Sequence, residues 1–431
     1  MPPDQTSGRT ESSDDERPWF VARTYVHFGP APSRDVAVRY CEDPEKVARH
    51  AFWPFLGYEL VERRFKREGD DRFIHSKERP IKFAAHMDAH IMARYAFLLR
   101  AAYEEAASPE VRQASLAYRK LGKSNIDFAK DAFDEVRRRG SCVSLCFDVK
   151  DFFDSLDHGD LKRQWARVLG RDRLPPDHYS VYKAVTRWSN VPRESALSAL
   201  GLDEQQAGHR ARLCSPAVFA DKIRGNGLVE GHPATKGVPQ GAPISAALSN
   251  IYMLDFDAEM TAEATRRGAY YRRYSDDILV ICAPEHEASL RDAVTGGLSR
   301  LKLTPAADKL ERTVFARAAD GGLRATEASR RDGAMQYLGF TFDGVRVLVR
   351  GKSIARFHRK MRKAVCAAAM SARKSGRPMG VRQIYAGYSH LGRRSFVRYA
   401  LRAADVHQAN SIRRQVAGAW GQLAELLEAA R

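Results

Sequence analysis

Three aspartates lie in or beside apolar, strand-like runs, where a carboxylate is energetically unfavourable unless it binds a partner. Asp148 ends the apolar run SCVSLCFD, and Asp276 and Asp277 are adjacent in YYRRYSDDILVICA. Aspartate is a poor strand former, and neighbouring carboxylates repel each other. Alone, the Asp-Asp pair is more typical of a solvated turn. Together with Asp148, the pair indicates a site for hard divalent cations.

The chemistry of such a site is phosphoryl transfer. Mg²⁺ prefers oxygen ligands at roughly 2.0–2.1 Å, and it is commonly held by carboxylates together with substrate phosphates. Two such ions about 3.5–4 Å apart stabilise both the attacking and the leaving oxygen of an in-line displacement. Their charge also offsets the repulsion between the acids. We therefore expect two Mg²⁺ ions as cofactor, with Mn²⁺ as the alternative metal.

The surrounding sequence predicts the elements that position these acids. SCVSLCFDV predicts a strand, and KDFFDSLDHGDLKRQW after it turns into a helix. Residues 270–282 predict a β-hairpin with Asp276 and Asp277 at its tip. The alternating run GAMQYLGFTFDGVRVLV predicts a second hairpin, with Asp343-Gly344 at its turn. Apolar spacing further predicts helices over 36–67 and 81–104.

Charge indicates a nucleic-acid partner. The 431-residue chain has a net charge of +18, and residues 350–431 contain 18 basic against three acidic residues, a net +15. Aromatic residues are interleaved with these cations, which favours a nucleic-acid surface over a merely solvated or membrane-attracted one. An apolar stripe at helical spacing places a basic face on the opposite side. The stripe is Ile354, Phe357, Met361 and Val365, and the face is Arg356, Arg359, Lys360 and Lys363.

Other features exclude several classes of protein. No apolar run is long enough to cross a bilayer, and the N-terminal stretch lacks the apolar core of a signal peptide. The six cysteines show no zinc-binding spacing, which is typical of reduced core cysteines. We therefore expect a cytoplasmic protein without a membrane partner.

Five short motifs occur in a fixed order: FDVKDFFDS, GVPQGAPISAALSN, YSDD, LTPAADKLERT and YLGF. In this order and spacing they resemble the motif series of reverse transcriptases, over roughly residues 75–345. The resemblance implies an α+β right-hand polymerase fold, with a palm made of an antiparallel sheet flanked by helices. RNA-dependent RNA polymerases share the palm but usually carry GDD at the position of Ser275-Asp276-Asp277, so they are the second enzyme class.

The resemblance also implies a division into domains. A disordered tail (1–18) precedes fingers with an N-terminal helical part (19–140). A palm (141–345) contains an insertion or fingers-like lobe (189–235), and a basic α-helical thumb (346–431) ends the chain.

Motif positions assign the catalytic roles. Asp148, Asp276 and Asp277 match the catalytic metal ligands, and the carbonyl of Val149 is a further candidate ligand. Lys309 matches the lysine that protonates the leaving pyrophosphate, with Lys302 as its competitor.

Nucleotide-binding roles follow from the same resemblance. Phe153 matches the steric gate against a ribose 2′-OH; the alternative is an ordinary core phenylalanine, since Phe152 is adjacent. Gln240 and Gly241 match the nucleotide-pocket turn, where glycine lets the backbone approach the ligand. The remaining assignments are the triphosphate-binding cations Lys77 and Arg79, with Lys82 as a substitute, and the primer-grip hairpin Tyr337, Leu338, Gly339 and Phe340. Asp151, Asp154 and Asp157 recur every three residues and predict only a helix start with a solvated face.

The segments KERPIKFAAHMDAHIMARYAFLL and AYRKLGKSNIDFAKDAF resemble the fingers of bacterial defence-associated reverse transcriptases. This implies an RNA-directed DNA polymerase that copies an associated noncoding RNA in antiphage defence. The implied partners are an RNA template, dNTPs and the DNA product, together with a second copy or a second defence protein. Template-independent or protein-primed DNA synthesis by the same site and a non-enzymatic RNA-binding scaffold are the alternatives.

Overall fold

The computed structural model describes residues 17–430 except 69–70, 307–308 and 331; for residues 62–68 and 71–79 it describes the backbone alone. The strands, in chain order, are β1 (Phe55–Glu68), β2 (Asp71–Phe83), β3 (Cys142–Asp148), β4 (Ser189–Pro192), β5 (Glu230–Gly231), β6 (Tyr270–Tyr274), β7 (Asp277–Cys282), β8 (Glu311–Arg317), β9 (Leu323–Ala328), β10 (Met335–Tyr337), β11 (Phe340–Phe342) and β12 (Val347–Val349).

Helices make up most of the remaining regular structure. They are α1 (Arg34–Cys41), α2 (Pro44–Ala48), α3 (His86–Ala106), α4 (Pro109–Ala114), α5 (Asn125–Arg139), α6 (Phe152–Ser155), α7 (His158–Val168), α8 (Pro176–Thr186), α9 (Arg193–Leu200), α10 (Glu204–Gly208), α11 (Pro216–Val218), α12 (Ser245–Tyr252), α13 (Leu254–Arg266), α14 (Glu287–Arg300), α15 (Gly351–Ser375), α16 (Val381–Tyr388), α17 (Phe396–His407), α18 (Asn410–Val416) and α19 (Ala419–Ala429). A π-helical turn (Phe219–Arg224) follows α11, and a 3-10 turn (Pro284–His286) precedes α14.

The chain divides into two compact units. The first comprises the described residues of Met1–Tyr118 with Val149–Glu259 and Gly297–Thr304. The second comprises the remaining segments, including the described residues of Pro305–Arg431. The predicted boundaries of the fingers, palm and thumb stay predictions.

The first unit contains a four-stranded sheet in the order β2-β1-β4-β5. β1 pairs antiparallel with β2 from Leu56 to Glu68 and parallel with β4 at its start. One core of this unit gathers apolar side chains from distant parts of the chain, among them Phe28, Leu56, Val191 and Phe219.

Two helix predictions for this unit need correction. The single helix predicted over 36–67 is wrong: the structure has the two short helices α1 and α2, which end at Ala48, and the chain becomes β1 at Phe55. Pro54 disfavours helical conformation in the residue before it, and the long antiparallel pairing with β2 outweighs local helix preference. The predicted helix over 81–104 begins at His86, since residues 81–83 end β2.

The second unit contains a five-stranded antiparallel sheet in the order β6-β7-β3-β8-β9. β3 is the central strand, and Val143, Leu145 and Phe147 in it are buried. A strand covered on both sides favours apolar residues, which explains the nearly uncharged run before Asp148. The predicted hairpin over 270–282 is confirmed as β6 and β7.

The C-terminal part of the second unit is helical, as predicted. Phe357, Met361 and Val365 on α15 are buried, and Ile354 packs against the same core. Gly376 ends this helix at φ +63°, a left-handed conformation in which glycine carries no Cβ penalty. A small three-stranded sheet, β10-β11-β12, precedes α15. Among the residues that the structure describes, no helix is long and apolar enough to span a membrane.

A buried histidine on α17 makes the stability of the second unit depend on pH. His407 lies against the rings of Phe133 and Phe340, with centroids 5.8 and 5.0 Å away. Within the described chain neither of its ring nitrogens has a hydrogen-bond partner. Burial, and then the nearby cations Arg137 and Lys130, lower the pKa of His407 to about 4.

The sign of the effect follows from that lowered pKa. The neutral imidazole stabilises the fold fully above the ordinary pKa near 6.5, and this stabilisation is lost as the pH falls from about 6.5 toward 4. The free energy of unfolding, measured in urea at pH 7 and pH 4.5, tests this. The difference between His407→Leu and the wild type should shift in favour of the variant by about 2 kcal/mol at the lower pH. An equal difference at both pH values would contradict the buried, neutral state of His407.

Candidate active site

Asp148 and Asp277 are direct partners across two neighbouring strands. The antiparallel register of β3 and β7 pairs Asp148 with Asp277 at the end of the ladder. Directly opposite residues in such a ladder have Cα atoms about 4.5–5.5 Å apart. Asp276 lies in the two-residue turn just before β7. The second unit thus brings the three predicted acids to one end of its sheet.

The turn that presents Asp276 depends on a buried arginine. Ser275 adopts φ +61°, which is uncommon for a residue other than glycine. Its carbonyl oxygen accepts a hydrogen bond from the Arg273 guanidinium at 3.0 Å, and Arg273 is fully buried. The arginine lies on the inward face of β6, as buried Tyr271 does. We infer that Arg273 stabilises the backbone on which the acid pair depends.

The acids repel one another strongly. The surrounding protein removes water from the Asp277 carboxylate, and Asp276 and Asp148 add repulsion, which raises the pKa of Asp277 to about 7. Burial is also the largest cause of the raised pKa of Asp276, to which Asp148 contributes. Asp277 is nevertheless exposed by surface area, so a ligand can reach it. Such a site favours any added positive charge.

Lys309 supplies one positive charge. Its Nζ lies 2.8 Å from Oδ2 of Asp148. Its competitor Lys302 is instead paired with Asp157 and Asp160, at 2.8 and 3.1 Å. The structure therefore favours Lys309 over Lys302 for the predicted catalytic role.

The donor set fits divalent cations. Among the described residues, no group of three or more acidic, histidine or cysteine side chains is arranged so that it could hold a metal ion, so the fit rests on the chemistry of the donors. The carboxylates of Asp148, Asp276 and Asp277 are hard oxygen donors, and the raised pKa values of Asp276 and Asp277 show repulsion that bound cations would relieve. Val149 is buried, and its carbonyl remains a predicted ligand.

The first unit brings Phe153 close to the predicted nucleotide-pocket turn. The carbonyl of Phe153 accepts a hydrogen bond from the Val238 amide at 2.8 Å, two residues before Gln240. Phe152 is buried, whereas Phe153 is half-buried. Their side chains are therefore not equivalent, and Phe153 is the one with a partly accessible ring.

Gln240 and Gly241 lie against the end of β2. The Lys82 amide donates to the Gln240 carbonyl at 2.9 Å. Gly241 adopts φ +104°, and a Cβ at this position would lie 2.6 Å from the Lys82 carbonyl oxygen. Glycine is required here both by conformation and by this close approach. The Gln240 amide nitrogen also donates to the Asp154 carboxylate at 2.8 Å.

Lys82, the substitute candidate for binding the triphosphate, lies beside this turn. Its Nζ lies 4.5 Å from the ring centroid of Trp188, which stacks on His232 at 4.3 Å. The side chains of Lys77 and Arg79, the primary candidates, lie outside the described residues. Of the three predicted triphosphate cations, Lys82 is the one whose side chain the structure describes, and the choice among them stays a prediction.

The predicted primer-grip motif separates into two pairs. Tyr337 and Phe340 are buried in the core of the second unit. Leu338 and Gly339 form the turn between β10 and β11, at φ +45° and +93°, and both are partly accessible. The Asn125 side chain donates to the Leu338 carbonyl at 3.0 Å and holds this turn. Leu338 and Gly339 are accordingly the accessible pair of this motif, and its role as a primer grip stays a prediction.

The basic face of α15 is also uneven. Arg359 and Lys363 are exposed, whereas Arg356 and Lys360 are half-buried. Burial, with the neighbouring charge of Arg356, lowers the pKa of Lys360. Arg359 and Lys363 are therefore the clearest candidates for phosphate contacts.

Sequence reasoning missed two supporting residues. Asp154, predicted only as part of a solvated helix face, holds the Gln240 side chain. Arg273 carried no prediction, although its place two residues after Tyr271 in a predicted strand puts both on one face. That alternation was the available signal for Arg273, whereas the spacing of Asp154 did not reveal its partner.

Comparison with known proteins identifies one family. The sequence model described as "Reverse transcriptase (RNA-dependent DNA polymerase)" matches residues 106–342, more than half of the chain. No curated protein sequence matches significantly. The family match, with the mixed helices and antiparallel sheets described above, confirms the predicted α+β right-hand polymerase class.

Structural similarity to solved proteins is weak. The apo telomerase of Candida tropicalis is 11% identical at a TM-score of 0.43, covering 86% of this chain and 58% of that one. Its form truncated from the C-terminal domain is 10% identical at 0.41, covering 72% and 58%. The telomerase of Candida albicans in complex with a fragment of telomeric RNA is 11% identical at 0.38, covering 94% and 68%. The chain thus spans less than two thirds of the two C. tropicalis chains, and the fold assignment rests on the family match.

The accessible ring of Phe153 predicts a role in sugar discrimination. Phe153→Ala should raise the use of ribonucleotides relative to deoxynucleotides by about tenfold or more, because the wall facing a 2′-OH is removed. Single-nucleotide incorporation with matched rNTPs and dNTPs measures this ratio. Phe152→Ala is the control and should mainly destabilise the fold. Unchanged discrimination in folded Phe153→Ala would leave Phe153 as a core residue.

The exposed cations of α15 predict a salt-dependent interaction with nucleic acid. Arg359→Gln/Lys363→Gln should lower the slope of log K against log salt for RNA–DNA hybrid binding by about one unit for each phosphate that is no longer neutralised. Arg210→Gln/Lys222→Gln, which removes two exposed cations elsewhere, is the matched control. A slope equal to the control's would move the nucleic-acid contact away from this helix.

Proposed function

The chain belongs to the reverse transcriptase family, and from this premise we propose that it is an RNA-directed DNA polymerase that uses two-metal-ion nucleotidyl transfer. The observation that carries the proposal is the end of the β3–β7 ladder. Asp148 and Asp277 are paired there, Asp276 lies in the adjoining turn, and Lys309 contacts Asp148. Three acids with this mutual repulsion are costly to fold unless they bind cations.

Each residue has a task in the proposed reaction. Asp148, Asp276 and Asp277 would hold the divalent ions, which when bound supply Lewis-acid stabilisation of the attacking and leaving oxygens. Lys309, whose Nζ lies 2.8 Å from Oδ2 of Asp148, would donate a proton to the departing pyrophosphate.

Selection of the nucleotide is assigned to the first unit. In this proposal Phe153 would face the sugar, and Gly241 would let the backbone approach it closely. Lys82 provides the described cation for the triphosphate, and Asp154 keeps the Gln240 side chain in one orientation. Each of these roles is proposed from contacts within that unit.

The partners proposed for the enzyme are an RNA template, dNTPs and the DNA product. We further propose that the template is a dedicated noncoding RNA and that the enzyme acts in the bacterial cytoplasm in antiphage defence, with a second copy or a second defence protein. The resemblance of the fingers segments to defence-associated enzymes supports this finer assignment. The basic helix α15 supports an RNA partner in general.

The acid pair gives the decisive test of polymerase activity. Asp276→Asn/Asp277→Asn should reduce Mg²⁺-dependent primer extension on an RNA template by at least about a thousandfold, because several kcal/mol of charge stabilisation is removed. Binding of the same RNA should remain within about twofold, since binding rests on separate cations. Asp292→Asn, which changes one exposed acid on α14, is the control and should extend normally. Near wild-type extension by the double variant would refute the assignment of the acids.

The same variants test the biological proposal. Cells that express the wild type with its native flanking DNA should resist phage, and those with Asp276→Asn/Asp277→Asn should not. Sequencing the DNA made by the wild type should return one dominant product that matches an adjacent noncoding RNA. If the enzyme copies any RNA, yields no dominant product and does not protect against phage, the polymerase assignment is retained and the defence role is refuted.

A further inference from the structure

A cationic pocket lies in the first unit, on residues that have no role in the proposed reaction. It has a volume of about 500 Å³ and is lined by Lys162, Arg163, Ala166, Asp172, Arg173, Leu174 and Tyr179. These residues belong to α7, to α8 and to the connection between them. A volume of this size is in the range of small-molecule sites and would admit one nucleotide.

Two lysines lie close to the ring of Tyr179: Lys162, which lines the pocket, and Lys183, which lies one helical turn further along α8. The Nζ atoms of Lys162 and Lys183 lie 5.0 and 5.2 Å from the ring centroid of Tyr179. The two ammonium groups are therefore within about 10 Å of each other, although like charges repel. Tyr179 is half-buried and stacks on Tyr182, with centroids 6.0 Å apart. The Tyr179 ring thus combines an aromatic contact with Tyr182 and two nearby ammonium groups.

The positive charge here is not neutralised locally. Residues 162–187 contain seven basic residues and two acids. Arg163 and Arg167 are paired with Asp160 and Asp255. In the described structure, by contrast, Lys162, Arg173 and Lys183 are exposed and form no ion pair or hydrogen bond to a side chain. An exposed cluster of this kind favours an anionic ligand.

The lining identifies the class of anion. Ala166 and Leu174 provide apolar surface beside the Tyr179 ring, which suits the face of a base and is not needed by a bare phosphate or an acidic peptide. Asp172 is the only carboxylate among the described lining residues, and a carboxylate can accept an amino hydrogen of a base. Aromatic rings combined with cations are the usual means of holding single-stranded nucleic acid.

We propose that this pocket binds an unpaired nucleotide of an RNA strand, with its base against Tyr179 and its phosphates on Lys162, Lys183 and Arg173. The site would anchor a segment of RNA that is not being copied. The inference rests on the proposal that the chain acts on RNA, but it does not require the polymerase reaction.

Binding of a labelled, unstructured single-stranded RNA to the full chain tests the site. We would measure it by fluorescence anisotropy over a salt series in the Asp276→Asn/Asp277→Asn background, without dNTPs. Lys162→Gln/Lys183→Gln should lower the slope of log K against log salt by about 1.4, or about 0.7 for each neutralised phosphate. Arg210→Gln/Lys222→Gln is the matched control, and a slope change no larger than the control's would overturn the proposal.

The base contact needs a separate variant. Tyr179→Leu should weaken binding by about fivefold or more, the decrease expected for one stacked base, and Tyr179→Phe should retain it. Equal decreases in both variants, with unchanged thermal unfolding, would overturn base stacking. Labelled AMP and an oligoglutamate distinguish the ligand source. If either binds in a Lys162- and Lys183-dependent way while RNA does not, the strand proposal is wrong.

The result is distinguishable from failure of the proposed function. RNA binding that depends on the pocket, in a chain that never extends a primer, would refute the polymerase and retain this site. Primer extension by the chain, with RNA binding that is unchanged by the pocket variants, would support the polymerase and refute this site.

Discussion

Repulsion between three carboxylates is the constraint on which the rest of this structure depends. The antiparallel register that pairs Asp148 with Asp277 forces two negative charges together, and the turn adds Asp276. No arrangement of the apolar core removes that cost, because the acids lie at the end of the ladder. The protein instead offsets part of it with Lys309 and leaves the remainder for a ligand.

Apolar burial is what keeps the acids in that register. Slipping β3 by one residue against β7 would turn Val143, Leu145 and Phe147 to the opposite face of the sheet. β3 has neighbours on both sides, β7 and β8, so a slip would have to break two ladders. The buried strand thus holds the charged end in place. Arg273 extends this control to the turn, where a fully buried guanidinium bonds to the carbonyl of strained Ser275.

The first unit follows a different principle, in which the backbone does the positioning. Main-chain hydrogen bonds connect Lys82 with Gln240 and Phe153 with Val238, residues that are far apart in sequence. Gly241 permits the first of these contacts because a Cβ would collide with the Lys82 carbonyl. Side chains then refine the arrangement, as when Asp154 accepts from Gln240. The same unit contains the cationic pocket beside Tyr179, which is formed by helix side chains rather than by backbone turns.

The sequence by itself determined the features that short-range patterns encode. The alternation around 270–282, the apolar run before Asp148 and the helical stripe from Ile354 to Val365 each follow from local periodicity, and all three appear in the structure. The local pattern wrongly predicted a helix for residues 55–67, which form a strand because the pairing of β1 with β2 outweighs helix preference. Only the tertiary structure decided that Lys309 rather than Lys302 contacts Asp148, that Asp154 holds Gln240, and that Lys162 and Lys183 meet at Tyr179. Such choices depend on distances between residues that are remote in sequence, and these distances exist only once the chain has packed.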